Sequence, residues 1–157
     1  MVIRVLLVCL GNICRSPTAE VVFRSEVDKA GLGGLVDIVS CGTAGYHIDE
    51  PPDSRSQTAA KARGYDMSAL RGRQVQRDDF EYFDFILAMD KSNLVELKQR
   101  CPKQYIAKLD LFLTYANNYQ EIEVPDPYYG GQQGFSRVLD LVEDASTGLV
   151  EVIKARL

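Results

Sequence analysis

A chain of 157 residues is the size of a single domain, read here as residues 1–157, and it buries about 70% of its unfolded surface, enough to fold without a metal or a disulfide. With 46% hydrophobic residues, 25% charged residues and a net charge of −4, it argues against general nucleic-acid binding, which needs a basic surface. The start of the chain is too short and too poorly flanked for a signal peptide and no run reaches membrane-span length, so the expectation is a cytoplasmic protein with no membrane partner and with Cys9, Cys14, Cys41 and Cys101 as thiols.

Val2 to Val8 is nearly continuous apolar sequence, β-branched and leucine-rich, which predicts a buried parallel strand. Ser16 and Pro17 then suit a helix start, with Ser16 as N-cap. Ala19, Val22, Phe23, Val27 and Ala30 follow at helical spacing, and Gly31 is a stop. Val36 to Ala44 reads as a second strand, followed by a Pro-rich loop and a short helix over Ser56–Arg63 that Gly64 ends. Arg71 to Arg77 is irregular and Asp79 to Phe83 a helical turn. Asp84 to Met89 is a third strand, Ser92 to Arg100 a helix, and Ala107 to Leu113 a fourth strand. A Pro- and Gly-punctuated loop, EVPDPYYGGQQG, precedes a last helix over Phe135–Leu157, in which Gly148 is a weak point. Alternating strands and helices predict an α/β three-layer sandwich, with a four-stranded parallel sheet and helices on both faces. Ligands in such folds bind beyond the carboxyl ends of the strands, where the loop after strand one lies.

That loop, VCLGNICRSP, carries the chemistry. A loop feeding a helix N-terminus is an anion site, because its amides point at the ligand and the helix dipole favours negative charge. Gly11 permits close backbone approach and Asn12 tolerates the left-handed conformation. Inward-turned amides from Leu10 to Ser16 make a nest for phosphate oxygens, and Arg15 adds a bidentate fork. The same positive field favours the thiolate of Cys9, a soft nucleophile, and Ser16 can hydrogen-bond it. A lone C-x5-R is weak evidence, but its place at a strand-to-helix junction turns it into a phosphate-binding loop with Leu10, Gly11, Asn12, Ile13, Cys14, Arg15 and Ser16 around the anion. With no CxxC pair or Cys/His cluster, no metal site is expected.

VCLGNICRSP resembles the signature loop of the low-molecular-weight protein tyrosine phosphatases. SCGTAGY, PPDSRS, ILAMDKSNL and DPYYGG resemble further segments of that family, in family order and over essentially the whole chain. The resemblance implies hydrolysis of phosphotyrosine and aryl phosphates through a phosphocysteine, with no metal and no cofactor. Cys9 would attack phosphorus, Arg15 and the loop amides would stabilise the equatorial oxygens, and Asp126 would be general acid and then base. Asn12, Ser16, Ser40 and Asp90 would form a supporting shell. Leu10, Tyr46, His47, Tyr128 and Tyr129 would line the substrate slot, and Cys14 would trap an oxidised Cys9 as a disulfide. Cys41 and Cys101 read as structural. The partners implied are phosphotyrosine-containing proteins and inhibitory phosphate-like oxyanions, acting on a monomer or weak homodimer.

Three alternatives stand beside this reading. Arsenate reductases of this fold use further cysteines downstream, and the stretch from Asp79 to Asp90 has none. Protein arginine phosphatases carry Thr where this chain has Ile13, whose methyl surface suits a phenol. A phosphate-binding or redox-sensing module would keep the loop without needing Asp126.

Overall fold

The computed structural model describes residues 1–127 and 131–157. Strands β1 (Ile3–Cys9), β2 (Val36–Gly42), β3 (Phe85–Ala88) and β4 (Leu109–Leu111) form one parallel sheet in the order β2-β1-β3-β4. Its helices are α1 (Arg15–Lys29), α2 (Ser54–Ala62), the one-turn α3 (Asp79–Tyr82), α4 (Lys91–Arg100) and α5 (Gly131–Arg156).

The continuous apolar run of β1 is the reason it lies inside the sheet. Alternate residues feed opposite faces, because side chains along a strand have a period of two. Ile3, Val5, Leu7 and Cys9 join the core with α1 and α5, including Phe23, Leu139, Val142 and Leu149. Leu6 and Val8 join the second core with Phe80, Ile86 and Leu97. Helices therefore cover both faces, as the alternating pattern predicted.

Several boundaries differ from the expectation for identifiable reasons. Helix α1 starts at Arg15, and its N-cap position is Cys14, which makes no side-chain cap. Ser16 is thus not the N-cap; its hydroxyl is drawn instead toward Cys9 and Asn12. Helix α2 starts earlier than expected because Asp53 accepts from the backbone N–H groups of Arg55 and Ser56. The fourth strand shortens to three residues, since 3-10 turns at Lys103–Lys108 and Phe112–Tyr115 take up its flanks. Strand β2 ends at Gly42, where an added Cβ would stand 2.6 Å from the Leu10 carbonyl oxygen.

Gly148, read as a weak point, is a packing requirement. A Cβ there would lie 1.8 Å from the Tyr115 carbonyl oxygen, so only glycine lets α5 approach the turn after β4. Its propensity cost is outweighed by the contact it permits.

Candidate active site

The site stands at the carboxyl end of β1, where the chain turns sharply into α1. Asn12 takes a left-handed conformation, φ 59°, and its side chain is used completely. Nδ2 donates to Ser16 Oγ at 2.8 Å and to Ser40 Oγ at 3.0 Å, while Oδ1 accepts from the Arg73 backbone N–H at 2.9 Å. Ser40 passes the chain on, donating to Glu20 Oε1 at 2.7 Å, and Glu20 pairs with Arg24 at 3.0 Å. A strained residue persists only where its surroundings over-determine it, and this network does so from β2, α1 and the segment before α3.

Cys9 is buried at the centre of the loop. The Asn12 backbone N–H donates to its sulfur at 3.3 Å, and Ser16 Oγ lies 2.9 Å from it. Ser16 also lies 3.3 Å from the Cys41 carbonyl oxygen. Since Ser16 accepts from Asn12 and has one proton, that proton serves either the sulfur or the carbonyl. An anionic sulfur draws it by the stronger, charge-assisted bond.

Arg15, 4% exposed, leaves the first turn of α1 and crosses under the cavity. Its Nη1 donates to Asp90 Oδ2 at 2.6 Å and to the Val124 carbonyl at 3.2 Å. Its Nη2 stands 3.9 Å from Asp126 Oδ2. Burial alone would lower the pKa of this guanidinium, but the facing Cys9 sulfur, Asp90 and Asp126 together raise it, so the charge is secure. Asp90 does double duty: its other oxygen accepts from the Asn93 backbone N–H at 2.7 Å and caps α4.

A cavity of about 320 Å³ opens above these groups. Cys9, Gly11, Ile13, Cys14 and Arg15 form its floor, with Asp126 on one wall and Leu10, Tyr46 and His47 at the rim. The His47 ring packs over Gly11, 3.1 Å from where a Cβ would be, and its Nδ1 contacts Glu50. A Cβ at Gly11 would therefore crowd the His47 ring and press it aside by a few tenths of an ångström, in addition to obstructing the ligand approach expected there. The loop bearing His47 is tied to Gly72 by two backbone bonds, 2.8 and 2.9 Å.

Every expected site residue within the described part is thus placed in or beside this cavity: Cys9 to Ser16 in the loop, Ser40 and Asp90 behind it, Tyr46 and His47 at the rim, and Asp126 lining it beside Arg15. Tyr128 and Tyr129 lie outside the described residues. Cys14 is buried, and that burial pushes its thiol up to about 12; Cys41 is pushed up as well, again by burial first. Sequence reasoning missed Glu20, the Arg73 amide and the Val124 carbonyl. Only Glu20 left a signal, since it stands one helical turn beyond Ser16 on the same face. Among the described residues no three His, Cys, Asp or Glu side chains are grouped to hold a metal, and no helix is long and apolar enough to cross a membrane.

Comparison with known proteins agrees over the whole chain. Residues 4–157 match the family described as low molecular weight phosphotyrosine protein phosphatase. The low molecular weight protein-tyrosine-phosphatase of Streptomyces coelicolor is 42% identical over 100% of this chain and 97% of its own. The low molecular weight phosphotyrosine protein phosphatase of Schizosaccharomyces pombe is 44% identical over 96% and 97%. A crystal structure of protein tyrosine phosphatase from Entamoeba histolytica, with Hepes in its active site, superposes with a TM-score of 0.94 at 42% identity, covering 99% of both chains.

Proposed function

The chain belongs to the low molecular weight phosphotyrosine protein phosphatase family and is a protein-tyrosine phosphatase; from that premise we propose that Cys9, Arg15 and Asp126 carry its reaction. The observation that supports this most directly is that a sulfur and a guanidinium from one loop and a carboxylate from a distant segment line one cavity.

In the proposed first step Cys9 sulfur attacks phosphorus as the bond to the phenolic oxygen breaks, and Asp126 gives that oxygen its proton. Arg15 Nη1 is held by Asp90 and Val124, which leaves the Nε and Nη2 edge to grip two phosphate oxygens. The loop amides take the remaining charge as it spreads over the equatorial oxygens. Ser16 turns its proton to the sulfur when the thiolate departs in the second step, where Asp126 accepts a proton from the attacking water. The products are a phenol, inorganic phosphate and the starting enzyme.

Leu10, Ile13, Tyr46 and His47 line the proposed aryl slot, whose apolar and aromatic surface favours phosphotyrosine over phosphoserine; Tyr128 and Tyr129 are assigned to it by the family resemblance alone. Substrates are phosphotyrosine-containing proteins, and phosphate-like oxyanions compete for the loop. Oxidation of Cys9 by peroxide to a sulfenic acid allows condensation with the Cys14 thiol to a disulfide and water. We place this single 1–157 domain in the cytoplasm, a reading the four free thiols support, and take it as a monomer or weak homodimer.

The test is steady-state hydrolysis of p-nitrophenyl phosphate and a phosphotyrosine peptide in EDTA, for wild type and Cys9→Ser, with phosphoserine and phosphoarginine in parallel. The expected result is EDTA-resistant turnover of the aryl substrates that Cys9→Ser abolishes. Turnover of phosphoarginine alone would overturn the reading.

A further inference from the structure

The segment that carries Asp126 is fastened to the rest of the molecule just before the carboxylate. Val124 is fully buried. Its N–H donates to the Met89 carbonyl at 2.7 Å, and its own carbonyl accepts from Arg15 Nη1 at 3.2 Å. One residue earlier, Glu123 is exposed, yet its carboxylate is engaged: Oε2 accepts from the Lys91 backbone N–H at 2.8 Å. Lys91 is the first residue of α4. Its N–H therefore has no partner inside the helix, and the helix dipole favours a carboxylate there.

Three consecutive residues between β3 and α4 thus hold three parts of the site. The Met89 carbonyl holds Val124, the Asp90 carboxylate holds Arg15 at 2.6 Å, and the Lys91 amide holds Glu123. The guanidinium on the floor and the segment bearing Asp126 are therefore referenced to the same short stretch of chain. Beyond Val124 the backbone has little freedom. Pro125 and Pro127 flank Asp126, each with a fixed φ, and each also restricts the residue before it. A shift at Glu123 is passed on to the Asp126 carboxylate rather than absorbed on the way.

We propose that Glu123 is a positioning residue for the reaction, whose bond to the Lys91 amide sets where Asp126 stands relative to the leaving oxygen. The inference rests on the reading above that Asp126 is the general acid, and adds the residue that aims it. Val124 is held through its backbone alone. The Glu123 side chain gives the segment a second point of attachment, which resists rotation about the first. Such rotation matters because the acid must come within hydrogen-bond reach of the leaving oxygen, and a misplacement of about 1 Å can cost on the order of 10²-fold in rate.

The experiment compares kcat/KM for phenyl phosphate, whose leaving oxygen needs a proton, with that for 2,4-dinitrophenyl phosphate, whose leaving oxygen does not. It uses wild type, Glu123→Ala, Glu123→Gln and Asp126→Asn, and records vanadate affinity and Tm for each. Glu123→Ala is expected to cut kcat/KM for phenyl phosphate about tenfold, a part of what a general acid supplies. Turnover of the dinitrophenyl ester and vanadate affinity are expected to stay as in wild type, because the floor is untouched. Glu123→Gln, which keeps an acceptor oxygen for the Lys91 amide, is expected to recover most of the loss. Equal losses on both substrates in Glu123→Ala, an unchanged phenyl phosphate rate, or no recovery in Glu123→Gln would overturn the positioning role. A selective loss of phenyl phosphate in Asp126→Asn beside any of those outcomes would leave the acid standing and remove Glu123 alone. Equal losses on both substrates in Asp126→Asn would instead overturn the acid, and the positioning role with it.

Discussion

The floor and the rim of the active site are built by opposite rules. The floor is buried and its polar atoms are bonded to one another: Asn12 alone connects Ser16, Ser40 and Arg73. The rim is open, with Tyr46 at 75% and Leu10 at 45% exposure. The difference teaches where specificity and chemistry separate. A tetrahedral anion has one shape, so its cradle is preorganised and costs no rearrangement during reaction. The proposed substrates, phosphotyrosine-containing proteins, have many shapes, and an exposed rim suits them.

Asp126 stands between the two, its side chain 44% exposed but facing Arg15, and its removal separates them most sharply. Asp126→Asn is expected to lower kcat for phosphotyrosine by about 10³-fold, within the usual range for a lost general acid. Vanadate is expected to bind as tightly as before or more so, because a negative charge near the anion is gone. Equal loss of turnover and vanadate affinity would make Asp126 part of the floor rather than the acid.

Asn12→Ala tests the floor itself. With the left-handed turn released and Ser16 and Ser40 deprived of their donor, kcat is expected to fall about 10²-fold by misplacement of the loop. Unfolding in urea should show a loss of about 1–3 kcal/mol from the unsatisfied partners. Tyr46→Ala tests the rim: KM for phosphotyrosine peptides should rise a few-fold with kcat unchanged, the pattern of lost uniform binding. A kcat effect there would mean that Tyr46 orders the loop below it.

The smallest effect expected is a pH dependence of stability. Burial raises the Cys14 thiol from its ordinary 9.0 to about 12 and raises Cys41 in the same direction. Both thiols hold their protons more tightly folded than unfolded. Their contribution is complete below about pH 9 and is lost as pH climbs toward 12, where the unfolded chain gains by releasing protons. A Tm series over that range should decline steadily, and less so for Cys14→Ala measured against its own value at neutral pH. A flat series would mean that Cys14 and Cys41 lie in more polar surroundings than their burial indicates.

Much of this molecule is legible in its sequence, for local reasons. The unbroken apolar run before Cys9 specifies a central strand, and Gly31 and Gly64 stop helices because both sit at positive φ, 76° and 90°. The Cys9-to-Arg15 loop is readable because the proposed nucleophile and anion cradle are contiguous in the chain. What escaped is what depends on distant partners. Ser16 looks like a cap and is not one, because the Cys9 sulfur and Asn12 claim its hydroxyl. Gly148 looks like a flaw until Tyr115 is brought against it. No local pattern distinguishes Asp126 from the other acidic residues, or says that Asn93 Oδ1 will be buried without a hydrogen-bond partner among the described residues. The order of strands and helices and the loop between Cys9 and Arg15 can be read from the chain, since they follow from periodicity, backbone preference and neighbouring side chains. Which carboxylates face Arg15, and how Asn12, Ser16 and Ser40 are paired, come from the folded molecule, because they depend on distances between segments far apart in the chain.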